Sequence, residues 1–209
     1  METTKIHLSE EEMELLKNSH WILTKNAIIE KVVLGMAGLL SQMQQKVNDK
    51  QSLLYREICD SSGKISRGEK YGGLPYVMLD YPRLFDKENI IAIRTLFWWG
   101  NFCSVTLHLK GRYQFLIAKK IHAEMPMLLQ HDLYISVSGD EWNHNVSMDN
   151  YRPLNSIDSI DLFGILQEAA FLKLTGVVEL EQWEKMEGKL FTLFEALLNL
   201  GSDPVEEIF

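Results

Sequence analysis

Four side chains in this sequence pair a reactive or charge-bearing group with surroundings that could hold a ligand: Arg67, Arg94, Trp99 and His108. An imidazole gains and loses its proton nearest neutral pH and suits a general base. A guanidinium grips a carboxylate or phosphate through two parallel hydrogen bonds. An indole offers a flat apolar wall on which a planar group stacks. Arg67 lies in KISRGEKYGG, Lys64 to Gly73, where Lys64, Arg67 and Lys70 stand among glycines. Read as a loop, this stretch presents cations and free backbone N–H groups, a combination that binds anions. It lacks the GxxxxGK[ST] spacing of a P-loop, and a solvated connector is its simpler role. Arg94 sits on an apolar strand-like run, where an unpaired charge is costly. An ion pair with a carboxylate such as Asp80 is the simpler role, and a ligand clamp is the alternative.

Other chemistries find little support. The histidines at 7, 20, 108, 122, 131 and 144 show no HxH, HxxxH or HExxH spacing. Glu141 and His144 are three apart, as in half of a helical carboxylate metal site, but they fall in a turn-like stretch. No metal and no cofactor is therefore expected. There is no GxSxG elbow and no dinucleotide fingerprint. Cys103 falls in an apolar run, where a thiol is usually inert. Asn145-Val146-Ser147 matches a glycosylation sequon without any accompanying sign of secretion. Core packing is the simpler role for Phe97, Trp98, Phe102 and Trp142, and for Trp99 as well, although its place at a hairpin tip needs a covering element.

The elements that must position these groups follow from pattern. Ser9 and Glu12 form a capping box that starts a helix. Ile22, Ile29, Val33, Met36, Leu40, Met43 and Val47 then fall mostly at steps of three and four along one long helical face, with Asn26 filling the one gap. Asp60 to Gly63 closes the helical region. Leu74–Leu79 reads as a strand with proline near its start, and DYPRLFDKEN as a connection. Arg112–His122 suits a helix, with a bulged continuation of the strand as the alternative, and Leu133–Ser138 a strand, with a returning strand expected over Trp142–Ser147. MDNYRPLN reads as loop. Ser156 is the expected N-cap of a helix from Ile157 to about Lys173. LTGVVEL is a short connection or strand. Trp183, Met186, Leu190, Leu193, Leu197 and Leu200 mark a last helix, stopped by Gly201 and Pro204.

The stretch FWWGNFCSVTLHLK, Phe97 to Lys110, supplies the middle of the sheet. Ile90–Trp99 and Phe102–Leu109 are rich in β-branched and aromatic residues, and Gly100-Asn101 between them signals a two-residue hairpin turn. That register sets Trp99 against Phe102, Phe97 against Ser104, Thr95 against Thr106 and Ile93 against His108. It gives a core face of Ala92, Leu96, Trp98, Cys103, Val105, Leu107 and Leu109, with Arg94 as its one charge. The other face is half polar, with aromatics near the turn.

The order helices, strands, helices implies an α+β fold: an antiparallel β-meander sheet packed on one face by long N-terminal and C-terminal helices. We expect a single domain over 1–209, helical over 1–60, mainly sheet over 64–148 and helical again over 156–201. At 209 residues with 46% apolar and 24% charged residues, the chain can bury a core without metals or disulfides. The 21 basic and 29 acidic residues give a net charge of −8, which argues against nucleic-acid or anionic-membrane binding. The polar, acidic METTKIHLSEEEMELL is unlike a signal peptide. The longest apolar run, Val32–Leu40, is too short for a bilayer. Two isolated cysteines and this composition fit a soluble cytoplasmic protein.

Two stretches, ISRGEKYGGLPYVMLDYPRLF and RTLFWWGNF, resemble an uncharacterised Bacteroidetes protein family of unknown function. The element order is also similar to that of YktB-like uncharacterised bacterial proteins: a long helix, a basic glycine-containing loop, an antiparallel sheet and a helical end. The resemblance implies a bacterial source and an α+β fold, and it carries no site residue across. From the residues themselves, the leading expectation is a binding or interaction protein. Its site is a small-anion site on the semi-polar sheet face, using Arg67, Arg94, Trp99 and His108; a protein partner is the other class of ligand. One alternative is a small-molecule enzyme with His108 as general base. Another is a structural subunit of a homo-oligomer joined through the aromatic hairpin tip.

Overall fold

The computed structural model describes residues 6–202. It is an α+β fold, with seven helices and a seven-stranded antiparallel sheet among the described residues. Helix α1 (Glu10–Lys17) begins at the expected capping box, where Ser9 Oγ accepts from Glu12 N and Glu12 Oε2 accepts from Ser9 N. Asn18 separates it from α2 (Ser19–Asp49), accepting from Trp21 N at 3.1 Å to cap the second helix. The buried side of α2 starts at Ile29 and continues through Val32, Met36, Leu39, Met43 and Val47. Ile22 belongs to the same stripe but remains exposed, as do Leu15, Leu16, Trp21 and Leu23. After the short α3 (Arg56–Cys59) come β1 (Lys64–Tyr71), β2 (Leu74–Phe85), β3 (Ile90–Trp98) and β4 (Phe102–Lys110). These four strands form a meander.

Then follow α4 (Arg112–Ala123), α5 (Met125–Leu128), β5 (Leu133–Ser136), β6 (Tyr151–Pro153), α6 (Ser159–Glu168), β7 (Leu172–Glu179) and α7 (Met186–Leu200). Strand β7 enters the sheet between β4 and β5, giving the order β1-β2-β3-β4-β7-β5-β6. Helices α2, α4 and α7 pack on the face carrying Val77, Leu79, Ile91, Ile93, Phe97, Val105, Leu107 and Leu174. At Gly176 α7 packs close to the strand: a Cβ there would stand 2.4 Å from a Leu193 methyl, so any side chain would require Leu193 to move. No described helix is long and apolar enough to cross a membrane.

Several expectations need correction. Lys64–Tyr71 is a strand; pairing with β2 (Arg67 opposite Val77) overrides its glycine-rich composition. β2 runs on through the supposed connection to Phe85, with a register shift between Asp80 and Arg83. Trp142–Ser147 forms no strand. Asp158, not Ser156, caps α6, accepting from Ile160 N and Asp161 N, and the helix ends at Glu168. Lys173 is therefore a strand residue, and LTGVVEL lies mostly in an interior strand. Trp183 precedes α7, which starts at Met186. Gly201 caps α7 as expected, while Pro204 lies outside the described residues.

The hairpin register also differs. Its loop has three residues, Trp99-Gly100-Asn101, so Trp98 pairs with Phe102, Phe97 with Cys103, Arg94 with Thr106 and Ala92 with His108. Gly100 takes φ +70° as the third residue of the turn Trp98–Asn101, which Asn101 N closes by donating to Trp98 O at 3.1 Å, a place where glycine is favoured. Burial decides between the two registers, because a one-residue slip exchanges the faces of one strand relative to its neighbour. In the observed register Ile93, Phe97, Leu107 and Cys103 all meet the helices, and Arg94 leaves their core.

Candidate functional site

The corrected register places Arg94 and His108 on the same face, the one opposite the helices. Cross-strand pairing then continues the pattern into β7, where Thr106 faces Thr175 and His108 faces Lys173. Arg94 grips Asp80 of β2 in a fork, Nε to Oδ1 at 2.6 Å and Nη2 to Oδ2 at 3.0 Å. Thr106 and Thr175 join hydroxyls at 3.0 Å.

The segment between β5 and β6, residues 137–150, folds back over this face. It is held to itself by Val137 N to Asn150 O (2.9 Å), Asn150 Nδ2 to Asn145 O (2.6 Å) and a bond between Ser138 and Asn150. Its underside delivers Glu141, Asn143 and His144 to the sheet. Lys173 Nζ donates to the backbone oxygens of Glu141 (3.0 Å) and Asn143 (2.5 Å). Tyr71 Oη accepts from His144 N at 2.6 Å. Glu141 reaches Lys110 Nζ at 2.8 Å with one oxygen, and its other oxygen stands 3.2 Å from His108 Nε2. That second contact lacks hydrogen-bond alignment, leaving both atoms buried without a partner. Trp142 lies on the outer side, 53% exposed, with its ring 5.5 Å from His108 and 6.2 Å from Phe85. Phe171 flanks His108 at 6.1 Å.

The electrostatics of the site follow from enclosure. Arg94 Nη1 meets His144 Nε2 at 2.9 Å. A guanidinium only donates, so Nε2 must accept, which places the His144 proton on Nδ1. That buried N–H has no partner. Burial first, then Arg94 and Lys173, push the His144 pKa down to about 2. His108, 2% exposed, is pushed down to about 4, by burial and then by Lys173, with Glu141 pulling the other way. Lys173 is wholly buried, and that burial lowers it to about 8. Its ammonium also lies 5.4 Å from the Tyr151 ring and 5.6 Å from that of Phe171. At neutral pH both imidazoles are uncharged and the lysine and arginine are cations.

Of the four expected site residues, the structure brings two together. Arg67 lies on the opposite, helix-covered face and pairs with Glu30 of α2. Trp99 is half buried at the hairpin tip, edge-on to Phe97 at 6.3 Å, beside a groove lined also by Ile28, Lys31 and Trp183. The tip is thus not an exposed aromatic surface. Reading residues 157–173 as helix hides Lys173; its signal is a lone charge between Leu172 and Leu174 in an apolar run. Glu141 and His144 do share the site, but as partners of different groups. Among the described residues, no three of His, Cys, Asp and Glu converge as metal ligands. No family model matches this chain, and neither the search of curated proteins nor that of solved structures finds a match.

Proposed function

We propose that this protein binds a small anion, a carboxylate or phosphate, on the sheet face beneath the 137–150 segment. The observation that carries the reading is the position of Glu141. Its carboxylate is brought in by an irregular segment and sits against Lys110 and His108, beside Lys173. A free anion could take that place once the segment lifts. His108 would then gain an aligned acceptor, and His144 Nδ1, buried without one, could gain another. Arg94 is held by Asp80, so it frames the site and need not bind the ligand directly. Catalysis by His108 would need the same opening, because Phe85, Trp142 and Phe171 flank its ring.

Calorimetric titration with acetate, succinate and inorganic phosphate tests the reading. At least one anion should bind, and Glu141→Gln should tighten it severalfold by removing the competing carboxylate. No heat from any of the three, in either protein, would contradict it.

A homo-oligomer is the second reading. It is favoured by Leu15, Leu16, Trp21, Ile22 and Leu23, which leave an apolar surface on α1 and the start of α2. Contiguous apolar patches above roughly 300–600 Å² mark interaction surfaces. Paired α1–α2 arms from two copies would cover it. Sedimentation should then give a dimer that Leu16→Glu with Leu23→Glu converts to monomer; a monomer at high concentration counts against the pairing.

A further inference from the structure

The helix-side face holds a second candidate site, independent of the first. Between α2, α7 and the sheet lies a half-enclosed cavity of about 260 Å³, walled by Met36, Leu39, Phe97, Trp183 and Leu190. A groove toward Trp99 and Ile28 continues from it, sharing Lys31, Phe97 and Trp183. The lining is apolar except at the rim, where Lys31 and Glu187 stand. Glu187 accepts a hydrogen bond from the Gln42 side chain. The Lys31 ammonium pairs with no carboxylate among the described residues. Gly35, one turn along α2, also lines the cavity, and a Cβ there would meet nothing within 4 Å. The helix thus presents bare backbone at the cavity, with open space for a longer side chain.

We propose that this cavity binds an amphiphilic monocarboxylate, with its apolar tail among Met36, Leu39 and Phe97 and its carboxylate on Lys31. Mostly apolar pockets with few placed polar groups are the usual form of small-molecule sites. At about 30 Å³ per water-sized group, the cavity holds roughly nine such groups, close to the size of an eight-carbon acid. Of the two rim charges, Glu187 is engaged by Gln42 while Lys31 has no carboxylate partner among the described residues, so Lys31 is the charged group left to meet an anionic head.

The test is titration of the intact protein with octanoate, followed by calorimetry and tryptophan fluorescence, since Trp183 and Trp99 border the site. Octan-1-ol and octylamine serve as head-group comparisons. Octanoate should bind saturably, and both comparisons at least tenfold more weakly. Gly35→Met places a side chain in the open space at a helical position that favours it, so binding should vanish while the melting curve is retained. Lys31→Gln leaves the cavity intact and should weaken octanoate about tenfold. The proposal is overturned if octanoate gives no saturable response up to millimolar concentration. Equal binding of octylamine or octan-1-ol overturns it as well, as does unchanged binding in a folded Gly35→Met protein or in Lys31→Gln.

Discussion

The two faces of one sheet are built from alternate residues of the same strands, yet they are held together differently. Toward the helices, β3 and β4 send Ile93, Phe97, Leu107 and Cys103 into a continuous apolar core. Toward the 137–150 segment, the same strands send Arg94, Thr106 and His108 into an enclosed polar cluster. Apolar packing is non-directional and tolerates exchange of similar volumes. A buried polar cluster is stabilising only where each donor finds an acceptor, and this one leaves His144 Nδ1, His108 Nε2 and Glu141 Oε1 unmatched. The first face accounts for the fold. The second has more charge and more unmet hydrogen-bonding capacity than a fold needs.

The contrast can be broken first at its strongest polar contact. Asp80→Ala strands a buried guanidinium and should lower unfolding free energy by about 3–5 kcal/mol, whereas Asp80→Leu with Arg94→Met should recover most of that. Urea denaturation of the single and double variants checks both. If the single variant loses under about 1 kcal/mol, the pair is solvated and the cluster is not a low-dielectric site.

On the apolar side, Phe194 of α7 is wholly buried in the core, and Phe194→Ala should lose a comparable amount, about 3–5 kcal/mol. What distinguishes the faces is pH. The folded-state pKa values of His108 and His144 lie below the ordinary 6.5, at about 4 and about 2. Below pH 6.5 the unfolded chain therefore binds protons that the folded chain refuses. Stability should fall as pH drops from 6.5 toward 4, by up to about 1.4 kcal/mol per pH unit for each histidine. His108→Gln should flatten that slope by about one proton, while Phe194→Ala should leave it unchanged. An unaltered slope in His108→Gln would place the imidazole in solvent.

Lys173 has the opposite pH window. Its pKa is lowered from 10.5 to about 8, so its charge opposes folding below pH 8 and that opposition fades as pH rises toward 10.5. Lys173→Met should remove this rise from a stability profile measured over pH 8–10. A persisting rise would assign it to another group.

The smallest effect belongs to Arg67. Its ion pair with Glu30 is exposed, so Arg67→Ala should change stability by under about 1 kcal/mol and leave anion binding intact. A lost anion response would return Arg67 to the site.

Much of this architecture is legible in the sequence, and the failures have physical reasons. The capping box at Ser9, the three-and-four stepping of α2 and the hairpin itself are local signals, and local signals survive in the fold. Strand β1 is not local: KISRGEKYGG has loop composition and becomes a strand only by pairing with β2. The hairpin register turned on one residue of loop length, which the Gly-Asn pair leaves open. That single step had separated Arg94 from His108, so the sequence offered both site residues and concealed their proximity. Lys173 and Glu141 come together with them only because β7 inserts beside β4 and the 137–150 segment folds over both, contacts between distant parts of the chain.

The most direct test of the anion-site account is amide hydrogen exchange of residues 137–150 against that of β4 and β7. The account predicts that this segment opens without global unfolding, so its amides exchange far faster than those of Val105, Leu107 and Leu174. Saturating anion should change exchange in the segment and leave the strands as they were. Exchange as slow as that of β4 and β7, and unmoved by any anion, would make the segment a fixed part of the core and contradict the account.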